Sequence, residues 1–133
     1  MAARLFVRSI ERRLPGGNAG PMPVFFALSG GQERSQKELA QIALVEQPTM
    51  AATLKRMERD GLIARRPDPE DGRSARIALT PQGEERAAQA FAAAAEVNAL
   101  ALEDLTEPER AQIVALMERV IATLRKDRTL PKA

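Results

Sequence analysis

The 133-residue sequence predicts a mainly α-helical chain with one small β-hairpin, an α+β arrangement. Three observations predict it. Apolar residues recur at helical spacing on both sides of a short central stretch. Within that stretch two runs, Leu62 to Arg66 and Ala75 to Leu79, flank a charged turn punctuated by Pro67, Pro69 and Gly72. That is the pattern of a hairpin with a longer loop. Just before the hairpin, two helical segments are separated only by Val45-Glu46-Gln47, too short for anything but a tight turn. Helix, turn, helix and a hairpin with an arginine at its tip is the order of a winged helix-turn-helix, here with further helices at both ends.

The elements follow in order. The first helix is predicted from Ala2 to Leu14, with Leu5, Phe6, Ile10 and Leu14 on one face. Pro15-Gly16-Gly17-Asn18-Ala19-Gly20-Pro21 breaks it, and a short apolar helix, Pro23 to Leu28, ends at Gly30-Gly31. Ser35-Gln36-Lys37-Glu38 has the spacing of a capping box, opening a helix whose apolar face is Leu39, Ile42 and Ala43. Pro48 suits the first position of the next helix. On that helix Met50, Leu54 and Met57 recur at i, i+4 and i+7 and point inward, while Thr49, Ala52, Thr53 and Arg56 lie opposite. Gly61 fits a left-handed cap. After the hairpin, Thr80-Pro81 starts an alanine-rich helix to about Leu105. Thr106-Glu107-Pro108-Glu109 is a second capping box, opening a final helix to about Lys126 that carries Ile113, Met117, Val120, Ile121 and Leu124. Residues Leu130 to Ala133 are expected to fray.

Composition excludes several kinds of chemistry. The absence of cysteine removes disulfides, thiolate metal sites and thiol redox sensing, and the absence of histidine removes the commonest general base. The remaining candidates for catalysis, Ser9, Ser29, Ser35, Ser74 and the Glu84-Glu85 pair, sit at caps, in loops or at a helix start where local structure explains them. No enzyme, cofactor or metal site is expected. The carboxylates at Asp68, Glu70 and Asp71 lack the alternating spacing of a calcium loop. No apolar run is long enough to span a bilayer, and Arg4, Arg8 and Glu11 interrupt the N-terminus, so a cytoplasmic protein is expected.

Net charge is only +2, but its distribution is uneven. From Gln47 to Arg66, Lys55, Arg56, Arg59, Arg65 and Arg66 stand against Glu58 and Asp60, five cations against two anions. A helix of this length fits the major groove of DNA, with its N-terminal half reaching base edges. Thr49 and Thr53 are short enough for close approach, and Arg56 can reach a guanine or a phosphate. Asp71 is expected to pair with Arg73 or another wing arginine, and with Gly72 to shape a loop that holds Arg73 toward the narrow minor groove.

Residues 35 to 83 resemble the core of the MarR (multiple antibiotic resistance regulator) family of bacterial transcription factors. The matching residues are Gln36-Lys37-Glu38-Leu39-Ala40, Gln47-Pro48-Thr49-Met50, Leu54-Lys55-Arg56-Met57-Glu58 and Gly61-Leu62-Ile63 with Arg65-Arg66. Asp71-Gly72-Arg73 and Leu79-Thr80-Pro81-Gln82-Gly83 complete the pattern. The resemblance implies a homodimer on a palindromic promoter site, usually a repressor, with release by a small, often aromatic or phenolic, acid. By position it implies DNA contacts from Ser35, Gln36, Gln47, Thr49, Met50, Thr53, Lys55, Arg56 and Arg73. It also implies a winged helix over 22–80, packed with a helical dimerisation region formed by 1–21 and 81–127.

The apolar residues support a dimer independently. Leu5, Ile10, Leu14, Ile113, Met117, Val120, Ile121 and Leu124 lie on terminal helices with little else in one chain to cover them, and such a patch usually marks an interface. A ligand pocket would draw on Met22, Phe25, Phe26, Phe91 and an arginine such as Arg12 or Arg13, since the chain has no Tyr, Trp or His. The competing reading is a winged-helix protein-interaction module that binds no specific DNA. Outward Thr49, Thr53 and Arg56 argue against it, because protein-binding surfaces favour aromatic and aliphatic anchors.

Overall fold

The computed structural model describes residues 1–18 and 20–129; the fraying expected beyond Leu130 lies outside them. Eight principal elements follow the predicted order: α1 (Ala2–Glu11), α2 (Met22–Leu28), α3 (Gln36–Ala43), α4 (Gln47–Arg59), β1 (Ile63–Pro67), β2 (Ala75–Leu79), α5 (Pro81–Ala101) and α6 (Glu107–Leu124).

Local chemistry sets the boundaries. At the start of α3 the Ser35 hydroxyl accepts the Glu38 amide at 3.1 Å and the Glu38 carboxylate accepts the Ser35 amide at 2.9 Å, the capping box the sequence predicts. Thr106 and Glu109 do the same for α6. Helix α4 begins one residue earlier than expected, with Pro48 in its first turn rather than at its first position. Its end is a Schellman closure: Gly61, at φ +74°, donates to the Glu58 carbonyl, and Leu62 donates to that of Met57. This draws Leu62 into the cap, so β1 starts at Ile63 instead.

Two other helices end sooner than predicted. Helix α1 stops at Glu11 because the residue before Pro15 is pushed to extended backbone, at φ −108° and ψ 141°. Helix α5 stops at Ala101, where the Arg110 guanidinium donates to the Leu102 and Leu105 carbonyls at 3.0 and 3.2 Å and holds the turn into α6.

The hairpin pairs Ile63 with Leu79 and Pro67 with Ala75 in antiparallel register. Arg34, just before α3, adds a one-residue third strand, donating to Ile77 at 3.0 Å and accepting from it at 2.8 Å. Ile63 and Ile77 are the strand residues that reach the core. They meet Val24, Phe25 and Leu28 of α2, Leu39 and Ala40 of α3, Met50, Leu54 and Met57 of α4, and Ala87 and Ala90 of α5. The small side chains of α5 let the other elements approach closely. Gly83 does so most tightly: a Cβ there would overlap the Leu62 carbonyl oxygen.

The terminal helices behave differently. Leu14 is buried against Ala93, with Ile10 and Met22 alongside. It is therefore part of this chain's own packing, not an exposed interface residue as expected. Ile10 is half-buried. Leu5 stays exposed, and no residue of the 18-residue α6 is buried.

Candidate nucleic-acid interface

Helix α4 turns its two faces as its periodicity predicts. Met50, Leu54 and Met57 are buried, while Pro48, Thr49, Ala52, Lys55, Arg56 and Arg59 are exposed and Thr53 is half-exposed. Met50 was among the expected DNA contacts; at 2% exposure it belongs to the core and cannot reach a base.

Beside α4, the hairpin and the start of α3 enclose an open cleft of about 560 Å³. Ser35, Gln36, Gln47 and Arg73 all border it, so the fold brings together four of the expected contact residues from three separate elements. Gln36 donates its side-chain amide to the Gln47 carbonyl oxygen at a long 3.4 Å, linking the first turns of α3 and α4.

The wing is shaped by backbone bonds. Asp71 accepts the Arg73 amide at 3.0 Å, and Asp68 accepts the Glu70 amide at 2.9 Å. The expected ion pair between Asp71 and a wing arginine is absent among the described residues. An aspartate two residues before an amide satisfies it locally, and Arg73 stays exposed beside the cleft with no ion pair to Asp71. Gly72 has no left-handed φ and nothing within 4 Å of a built Cβ, so this conformation places no demand for glycine there.

Ion pairing redistributes the charge read from the sequence. Arg65 bonds the Glu58 carboxylate at 2.7 Å, Arg59 reaches Asp60 at 3.3 Å, and Arg66 holds Glu33 through two bonds, one of 2.8 Å. Arg66 holds the Glu33 carboxyl below its ordinary value of 4.5, chiefly through these hydrogen bonds, and Arg76 adds to the lowering by charge. Among the described residues, Lys55, Arg56 and Arg73 have no carboxylate within ion-pair reach. These three are the cations of α4 and the wing whose charge is not taken up by an ion pair.

Arg76 is a residue that periodicity does not single out. From β2 its guanidinium donates to the Glu33 carbonyl at 2.8 Å and lies 3.5 Å from the Glu38 carboxylate. Glu38 also caps α3. With Arg66, this ties the hairpin to the segment that leads into α3, and fixes the wing relative to the helix-turn-helix.

The expected pocket residues do not converge. Phe26 and Phe91 meet edge to face, with ring centroids 5.4 Å apart, and Phe26 is largely exposed. Phe25 is fully buried in the core, and Met22 is only half-exposed. Arg12 is exposed and does not line the cavity near the linker. That cavity, about 370 Å³, lies between Asn18, Gly20 and Pro21 of the linker, the second half of α4, and Arg86 of α5. Phe25, Met57 and Leu62 provide its apolar side, and Arg56, Arg59, Arg86 and Asp60 its charge, with Asp60 paired to Arg59. Only Phe25 of the expected set borders it.

The family model for the MarR family matches residues 21–74. A probable transcriptional regulator from Pseudomonas aeruginosa is 26% identical over 90% of each chain, with a TM-score of 0.78. BpsR of Bordetella bronchiseptica, whose DNA binding is regulated by 6-hydroxynicotinic acid, is 23% identical, covers 90% of this chain and 92% of its own, and has a TM-score of 0.75. PcaV of Streptomyces coelicolor, a transcriptional regulator solved with its natural ligand, is 24% identical over 91% of this chain and 84% of its own, with a TM-score of 0.74. The last two share the fold. The matched model, the winged helix and the wing motif agree in supporting the MarR family of DNA-binding transcription regulators.

Proposed function

We propose that this protein is a homodimeric repressor that binds a palindromic operator, acts in the cytoplasm and has no enzymatic activity. One observation carries the DNA-contact assignment. The exposed face of α4 carries Lys55 and Arg56 and the wing carries Arg73, each without a carboxylate in ion-pair reach among the described residues, and the cleft beside them is bordered by Gln47 of α4 and Arg73 of the wing. Arg56 and Lys55 would meet the major groove with Thr49 and Thr53, Arg73 the minor groove, and Ser35, Gln36 and Gln47 the phosphates between them. In this reading 22–80 is the DNA-binding unit, and 1–21 with 81–127 is the dimerisation region. Ile113, Met117, Val120, Ile121 and Leu124 of α6, with Leu5 of α1, are the apolar surface a second copy would cover.

Release by a small organic acid is part of the proposal. The cavity beside the linker combines an apolar side with arginines, a combination suited to a carboxylate on an aromatic ring. Because Arg56 borders that cavity and also faces DNA, an acid that engages it would compete with the operator for the same guanidinium.

Selection of bound sequences from a random duplex pool at physiological salt tests the reading. An enriched palindrome with half-sites about one helical turn apart is expected. Weak, salt-sensitive binding with no enrichment would instead favour a protein-interaction module.

A further inference from the structure

The outward face of α4 is unusual in what its first two turns lack. From Gln47 to Thr53 it carries no charged side chain; the cations begin at Lys55. Opposite the buried stripe of Met50, Leu54 and Met57, the exposed residues of those turns are Gln47, Pro48, Thr49 and Ala52. The polar groups nearby are partly engaged within the protein. The Thr53 hydroxyl donates to the Thr49 carbonyl at 3.1 Å, and the Gln47 side chain accepts from Gln36 at 3.4 Å.

The N-terminal half of a recognition helix approaches base edges most closely. Guanine is commonly read there by a bidentate arginine or lysine, and adenine by asparagine or glutamine. Here the one glutamine, Gln47, stands at the very first position and accepts from Gln36, and the residues that follow offer a pyrrolidine ring, a threonine methyl and an alanine methyl. The one apolar group a base presents in the major groove is the C5 methyl of thymine. We infer that the protein reads the centre of each half-site through thymine methyl groups packed against Pro48, Thr49 and Ala52, with Arg56 reading the flank. The inference rests on the DNA-binding reading proposed above and gives that site its substrate class: half-sites whose central pairs are T·A or A·T.

The test takes the enriched duplex and replaces its half-site thymines one at a time with deoxyuridine, which removes the methyl and keeps the pairing. Binding of the full-length protein is followed by fluorescence anisotropy. At two or more positions per half-site the affinity is expected to fall about fourfold, the effect of uncovering one methyl-sized apolar group. The salt slope stays the same, because no phosphate contact changes. Thr49→Ser, which keeps the hydroxyl and loses the methyl, is expected to weaken binding to the thymine duplex and cancel the uracil effect at one position. Thr49→Val keeps that effect. The inference is overturned if uracil at every half-site thymine leaves a sequence-specific complex unchanged, or if the enriched half-site has a G·C core. Failure to enrich any sequence would overturn the DNA-binding reading itself, and this inference with it.

Discussion

Arg56 and Arg73 carry similar charge but are proposed to do different work. Arg56 stands on a helix that the proposal sets against base edges, so Arg56→Ala is expected to cost about 1–3 kcal/mol of specific binding and to relax preference at one position of the half-site. Arg73 stands on a turn whose amides Asp71 and Asp68 hold. Arg73→Ala is expected to reduce the salt slope by about one and to weaken binding most where the minor groove is narrow. An unchanged slope in a salt titration would remove the wing from the interface. Gly83 matters for a different reason. Its missing Cβ leaves room for the Leu62 carbonyl, so Gly83→Ala is expected to destabilise the fold by about 1–3 kcal/mol in urea unfolding. The sequence showed which face of α4 each residue occupies, and that same periodicity already placed Met50 inside. It did not show that Asp71 bonds an amide rather than a guanidinium. Charge pairing and turn chemistry compete at that position, and only backbone geometry separates them.

At the scale of elements, the legible features were those encoded within a few residues. Both capping boxes, the Gly61 closure and β2 are where their sequences put them. The unreadable ones depend on distant partners. Arg34 forms a one-residue strand with Ile77, and Arg66 finds Glu33 from 33 residues away. Neither leaves a periodic trace. These contacts nonetheless hold the wing against the start of α3, and their pH response follows. Glu33 has a folded pKa below its ordinary 4.5, so its ionised form stabilises the native state above that value. The contribution is lost as pH falls through the lower folded value. Glu33→Gln is therefore expected to flatten the fall in stability below about pH 4.5, as followed by thermal melting across the acid range. A profile identical to the natural protein's would mean that the Glu33 pair does not set the wing's acid sensitivity.

At the scale of the whole molecule, α6 is the element that one chain does not explain. Its apolar residues alternate with charged ones at helical spacing, yet none is buried. Leu5 and the apolar residues that the sequence singles out on α6 stay exposed in one chain, whereas Leu14, which lies before Pro15, folds back onto Ala93 with Ile10 alongside. The proposed dimer uses the surface that remains. Ile121→Asp with Leu124→Asp is expected to yield folded monomers by light scattering and to abolish operator binding. A variant that stays dimeric would move the interface elsewhere. The account as a whole requires two recognition helices held by one dimer on one side of the duplex. Its most direct test inserts five base pairs, about half a helical turn, between the half-sites of the enriched operator. The account predicts two chains per duplex on the original site and loss of high-affinity binding on the expanded one. One chain per duplex, or indifference to the insertion, would contradict it.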